Sequence, residues 1–231
     1  MRQAIEQLNA ARVARLDLRF PASTVAACAI GYGWWARTLR SGRGVVALDE
    51  CGLAHEASPL VRTMLIHAVA IEWLRRDPPG ALEALHHEDD SRRPDIANRA
   101  ELLGWDVPLP AVGPRPPKDS RPGTADQLKS FERMCQEVGN SHLYLAYKLE
   151  SAYAHPSLKS AHAYLDTAAE ELLSEPANAG EQLRAAALMA AIATHAFGLL
   201  LDDQPLIAAA DSVGALIGTS VSLATVEPGT D

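Results

Sequence analysis

The sequence SPLVRTMLIHAVAIEWLRRDPP, residues 58–79, decides the fold. Apolar side chains recur through it at helical spacing and leave almost no polar face. Ser58 can cap a first turn, Pro59 suits that turn, and Asp77 with the two prolines after it ends the segment. The pattern therefore predicts a long helix over 59–76 that other helices surround on most sides.

Helical spacing continues along nearly the whole chain, and no run of alternating β-branched residues interrupts it. The sequence therefore predicts an all-α protein, a multi-helix bundle. Helices are expected near 2–17, 22–40, 44–56, 59–76, 79–88, 92–103, 125–138, 142–154, 157–174, 179–201 and 205–218.

Prolines are concentrated between Val107 and Gly123, where they exclude helix and favour extended chain. The helices on either side are apolar on several faces, so neither half would bury its apolar surface alone. We therefore expect a single helical domain over 1–218 with a proline-rich crossover loop at 107–123. Helical signals fade beyond that domain, which predicts a flexible C-terminal tail over 219–231.

Composition excludes several classes of protein. The chain of 231 residues is 48% hydrophobic, which is enough for one full core. Its net charge is −8, without a lysine-rich tract, so no strong nucleic-acid-binding surface is expected. The three cysteines, Cys28, Cys51 and Cys135, are far apart and indicate a reducing compartment.

The N-terminus has no apolar run that could serve as a signal peptide. The longest apolar run, 185–201, is alanine-rich and short for a bilayer span, so it is expected to be a buried bundle helix. Together with the cysteine pattern, these features predict a cytoplasmic protein without a membrane segment.

The central helix carries polar side chains that need partners. Arg62, Glu72 and Arg76 fall on one stripe, while Thr63 and His67 form a second. A charge on a buried helix must be compensated. Either Glu72 pairs with Arg76 and Arg62 reaches a carboxylate on a neighbouring helix, or these residues line a functional pocket.

A second polar feature is the segment SAYAHPS, residues 151–157. Pro156 ends one helix and starts the next, so His155 is expected at the junction. Ser151, Tyr153 and the free carbonyls of the helix end can accept hydrogen bonds from a buried guanidinium. We therefore predict that Arg62 and His155 share one polar pocket.

Metal and cofactor motifs are incomplete. Glu83 and His86 match one Glu-x-x-His pair of a ferritin-like di-iron site, but no second copy exists. His162 and His195 are expected to be packing residues that form hydrogen bonds. There is no nucleophile elbow or phosphate loop. The sequence predicts neither a metal site nor a cofactor.

Two resemblances to known families bear on function. Arg62 and His67 match the Arg-x4-His spacing of the HEPN ribonucleases. The resemblance implies that both residues act on an RNA phosphodiester at a dimer interface.

The segments 60–65, 73–78 and 151–157 together resemble a family of uncharacterised, largely actinobacterial helical proteins, over roughly residues 55–170. In that family a glutamate commonly stands where this chain has Ile66. The matching positions are Arg62, Ser151, Tyr153 and His155. The resemblance implies an all-α cytoplasmic fold.

Two functional hypotheses follow. In the first, the protein binds a small anionic or amphipathic ligand, or a protein partner, in a polar pocket near Arg62 and His155, with a regulatory or pathway-associated role. Its ligand-binding residues would be Arg62, Glu72, Ser151, Tyr153 and His155. The alternative is a metal-independent HEPN-like ribonuclease, a toxin or defence effector, that uses Arg62 and His67. A homodimer is expected. Burial of Arg62 or His67 would favour the first hypothesis.

Overall fold

The computed structural model describes residues 1–15, 18–105, 116–117, 121–166, 169, 171–176 and 181–223. The described chain is an all-α multi-helix bundle, which confirms the predicted fold class. The helices are α1 (Arg2–Val13), α2 (Val25–Glu50), α3 (Ser58–Arg76), α4 (Pro78–Leu102), α5 (Ala125–Lys129), α6 (Phe131–Glu137), α7 (His142–Ala154), α8 (Leu158–His162), α9 (Gln182–Leu201) and α10 (Gln204–Ile217). A 3-10 turn at His55–Ala57 leads into α3.

The centre of the bundle is α3, which packs against α2, α7 and α9. Trp35 on α2 is fully buried and stacks on Phe197 of α9, with 4.7 Å between ring centroids. The indole N–H of Trp35 donates to Oγ1 of Thr194 at 2.9 Å, so its polar atom is satisfied inside the core. This contact fixes α2 against α9 and leaves the other side of α3 for α7.

The central helix ends where the sequence predicts, at Arg76. The Asp77 carboxylate accepts from the Gly80 N–H at 3.1 Å and so caps α4. The expected cap at Ser58 is wrong, because the 3-10 turn runs directly into α3 and Ser58 is already helical. Its hydroxyl is therefore available for other contacts.

Two predicted pairs of helices are merged. One helix, α2, replaces the two predicted over 22–40 and 44–56; it continues through Gly42 and Gly44 and ends at Glu50, before the predicted end. A Cβ at Gly42 would lie 3.3 Å from the Ile5 side chain, so this glycine permits close packing of α1 on α2. Similarly, 79–88 and 92–103 form α4, which continues through Pro94.

The predicted helix over 157–174 is wrong. Helix α8 ends at His162, and two short strands follow it, β1 (Leu165–Asp166) and β2 (Glu171–Leu172), which pair antiparallel with Leu165 opposite Leu172. Leu158 and Leu172 are 77% and 86% exposed. Leu158 and Leu172 therefore gain little from a helical face, because they lie outside the core.

Helices from both sides of the proline-rich segment share one core, since α7 and α9 both pack on α3. Of the predicted loop at 107–123, only 116–117 and 121–123 lie within the described residues. In the predicted tail, Val221 and Leu223 are buried against the bundle. The rest of that segment, 224–231, lies outside the described residues.

By length and composition alone, α9 could cross a membrane. In this structure 72% of its apolar window is buried inside the bundle, as expected for a core helix.

Candidate functional site

The site lies between α3 and α7. Arg76 donates to the Glu137 carbonyl oxygen just before α7, Arg62 contacts Tyr147, and Ser58 contacts Glu150. Residues later in α7 contact residues earlier in α3, so the two helices run antiparallel. This arrangement brings the C-terminal end of α7 beside the N-terminal half of α3.

The Arg62 guanidinium is the centre of the site. Its Nη1 lies 2.8 Å from His155 Nε2, and its Nη2 donates to the Tyr147 hydroxyl at 3.0 Å. Its Cζ also lies 5.0 Å from the centroid of the Tyr147 ring, a cation–π distance. The sequence-based prediction that Arg62 and His155 are close is confirmed.

This contact fixes the hydrogen-bonding role of one ring nitrogen of His155. A guanidinium can only donate hydrogen bonds, so Nε2 of His155 must accept in this contact.

The backbone holds His155 in place. It lies just beyond α7 in an extended conformation, with φ −119° and ψ 156°, as expected for a residue before proline. Its N–H donates to the Ser151 carbonyl at 3.2 Å, and its own carbonyl accepts from the Ser160 hydroxyl at 3.0 Å. Ser157 and Ser160 form a capping box at the start of α8. The corner is thus determined locally by Pro156 and the serines.

The positive charge of Arg62 is not neutralised by an acid. Its two hydrogen-bond partners are His155 and Tyr147, and among the described residues no carboxylate forms an ion pair with it. Its Nε is buried without a hydrogen-bond partner there. The hydrogen bond from Arg62 is the main cause of the lowered pKa of Tyr147. The predicted carboxylate partner of Arg62 is therefore wrong.

Ser151 and Tyr153 also belong to this corner. The Ser151 hydroxyl lies beside Tyr147. The Tyr153 ring meets His55 edge-on, with centroids 4.9 Å apart, and Lys159 Nζ lies 4.4 Å from its centroid. The structure thus brings Arg62, Ser151 and Tyr153, three of the predicted ligand-binding residues, to the same end of α7 as His155.

Glu72 lies elsewhere. It is ten residues beyond Arg62, about 15 Å further along α3. Burial alone would raise the pKa of Glu72, but hydrogen bonds from Arg75 at 2.7 and 2.8 Å and from Arg76 at 3.0 Å lower it overall. Arg76 also donates to the carbonyls of Glu137, Val138 and Leu223. The geometry places Glu72 in this interior network, away from the Arg62 corner.

The profile of a family of unknown function (DUF5677) matches residues 29–172. The chain belongs to this family. Both helices of the site, α3 and α7, lie inside the DUF5677 region. No curated protein and no solved structure matches the chain. Membership of an uncharacterised family is therefore confirmed, whereas the largely actinobacterial distribution and the HEPN resemblance stay predictions.

His67, which is also in the DUF5677 region, has different neighbours from Arg62. Burial and, to a lesser extent, the charge of Arg37 on α2 lower the pKa of His67 to about 4. Arg62 instead faces Tyr147 and His155 at α7. The imidazole that joins Arg62 is thus His155, and His67 is held neutral at neutral pH.

Three polar residues of this corner were not predicted from the sequence: Tyr147, Glu150 and Gln182. Tyr147 and Glu150 share a face of α7 with Ser151, at helical spacing, so extending the Ser151 stripe back by one turn would have found them. Gln182 begins α9 and reaches Ser58 only through the tertiary fold, so no local signal marks it.

The other polar candidates show no common site. His195 is buried, with Nε2 3.7 Å from Asp211 Oδ1. Glu83 and His86 are exposed on α4, and His162 ends α8. Over the described ranges of the chain, no three His, Cys, Asp or Glu residues are grouped so that they could hold a metal ion.

Proposed function

We propose that this chain binds a small anionic ligand at the corner of α3, α7 and α8, with Arg62 as its anion-binding residue. One observation carries the proposal: in the described part of the chain, the hydrogen-bond partners of this half-buried guanidinium are His155 and Tyr147, and neither is a carboxylate. A charge shielded from water needs an opposite charge or strong acceptors. An anion bound beside Arg62 would supply both.

The chemistry of the corner favours a tetrahedral oxyanion such as phosphate. Arg62 offers a planar fork of N–H donors, and the Tyr147 hydroxyl can donate as well. Lys159 adds a second positive charge over Tyr153 nearby. A phosphoryl group accepts several hydrogen bonds at once, and hydrogen bonds to a charged acceptor are the strong ones. The proposal includes the homodimeric state and the cytoplasmic location expected from the sequence.

The experiment is a titration of the protein with inorganic phosphate, followed by NMR chemical shifts of the backbone amides. Wild type should show saturable shifts at α3 and at 151–160. Arg62→Met should bind at least about tenfold more weakly, because the lost charged hydrogen bonds exceed 1.4 kcal/mol. Arg99→Met is the matched control, since Arg99 is exposed on α4. No local shift in wild type, or equal affinity in Arg62→Met, would refute the proposal.

The ribonuclease hypothesis requires Arg62 and His67 to act on one phosphodiester. Their separate neighbours, α7 for Arg62 and Arg37 for His67, give it no support. Incubation of the purified protein with single-stranded RNA tests it directly: cleavage by wild type that is lost in His67→Ala would favour the nuclease.

A further inference from the structure

Beside Arg62, one turn earlier on α3, lies a second group of polar side chains. Ser58 Oγ accepts from Gln182 Nε2 at 3.1 Å, and the same hydroxyl lies close enough to the Glu150 carboxyl group to lower its pKa. Ser58 and Gln182 are only 1% and 4% exposed. Three helices, α3, α7 and α9, thus bring one polar residue each to a single buried point.

Two acceptors at this point have no donor. Gln182 Oε1 and Glu150 Oε2 are both buried and have no hydrogen-bond partner among the described residues. Neither is the hydrogen-bond partner of the other. Buried acceptors without donors are costly, so such a pair indicates a group that is supplied from outside.

The charges nearby select the kind of donor. Lys159 and His55 lie close enough to Glu150 to interact with its charge. Arg62 is four residues from Ser58, about 6 Å along the helix axis. A cationic donor such as an ammonium group would be repelled by Lys159 and Arg62, whereas a neutral hydroxyl group would not. Carboxylate and amide oxygens are suitable acceptors for hydroxyl groups.

We infer that Ser58, Glu150 and Gln182 form a second subsite, which binds hydroxyl groups of the same ligand whose anionic group binds at Arg62. The ligand class is then a hydroxylated phosphoester. This inference rests on the proposed function, because Arg62 provides the anionic half of the site.

A matched pair of probes tests it: propyl phosphate and glycerol 3-phosphate, which have the same carbon chain and differ by two hydroxyl groups. In calorimetric titrations of wild type, glycerol 3-phosphate should bind at least about tenfold more tightly than propyl phosphate. Gln182→Met should reduce that ratio to about threefold or less, while the affinity for propyl phosphate stays the same. Gln204→Met is the control, because Gln204 is exposed on α10.

The outcomes separate the two proposals. Binding of both phosphates with equal affinity would refute the hydroxyl subsite and leave the anion site intact. That result is expected if Gln182 and Glu150 only form hydrogen bonds within the protein. Failure of both probes to bind would refute the anion site as well. If Gln182→Met does not fold, Glu150→Gln replaces it. If the folded variant still binds glycerol 3-phosphate at least about tenfold more tightly than propyl phosphate, the inference is wrong.

Discussion

Arg62 and His155 are 93 residues apart in sequence, yet Nη1 of the first lies 2.8 Å from Nε2 of the second. The contact joins the middle of the bundle to the end of α7. Nε2 accepts from the guanidinium, because a guanidinium only donates. The contact therefore couples the Arg62 side chain to the end of α7.

A double-mutant cycle measures this coupling. Arg62→Met keeps much of the apolar stem but leaves His155 and Tyr147 without their donor, so it should lower the free energy of unfolding by about 1–3 kcal/mol. His155→Ala should cost less in the Arg62→Met background than in wild type. Urea unfolding of the four proteins gives the coupling energy. Strict additivity would show that the contact contributes nothing to stability.

The sequence predicts correctly those parts of the structure that depend on residues near one another in the chain. Pro156 and its serines determine the junction at His155, and the apolar pattern of 58–79 predicts a helix that others surround. The polar residues that the sequence analysis missed, Tyr147, Glu150 and Gln182, were harder to predict. Gln182 meets Ser58 because α9 lies across α3, and helical spacing carries no information about which helices become neighbours.

The errors also have physical reasons. Glycine pairs usually interrupt a helix, but Gly42 in α2 allows close contact with Ile5, and this packing offsets the low helix propensity of glycine. Periodicity also predicted a helix over 157–174, where Leu158 and Leu172 are exposed. In both segments, packing against the rest of the fold determines the secondary structure, and the pattern of residues in the sequence does not show that packing.

Glu72 should be among the most sensitive positions for stability. It is 2% exposed and receives hydrogen bonds from Arg75 and Arg76. Glu72→Gln leaves both guanidinium groups without their counter-ion, so we expect a loss of about 2–4 kcal/mol in unfolding free energy. The matched control, Glu83→Gln on the exposed face of α4, should change stability by about 0.5 kcal/mol or less. Equal effects of the two variants in urea unfolding would contradict the network.

His67 should make the protein less stable in acid. Burial lowers its pKa to about 4 from an ordinary value of 6.5, so between these values the unfolded chain binds a proton that the folded chain does not. Stability must therefore rise with pH across this window. Allowing for solvent screening at this partly exposed site, the contribution is about 1–2 kcal/mol. His67→Gln should reduce the difference in unfolding free energy between pH 4.5 and 7, and an unchanged difference would rule this contribution out.

Glu150 should act in the opposite direction. Burial raises its pKa above the ordinary 4.5, and the effects of Ser58, Lys159 and His55 only partly offset that increase. Just above pH 4.5 the folded chain therefore keeps a proton that the unfolded chain releases, so stability falls as pH rises through this range and levels off above the raised pKa.

Glu150→Gln removes the titrating group and keeps the shape of the side chain. The variant should thus gain stability relative to wild type as pH rises from 4 to 8, in urea unfolding measured at each pH. Glu83→Gln, the exposed control, should show no such trend. A stability difference for Glu150→Gln that stays constant with pH would mean that Glu150 has the same pKa in the folded and unfolded chain.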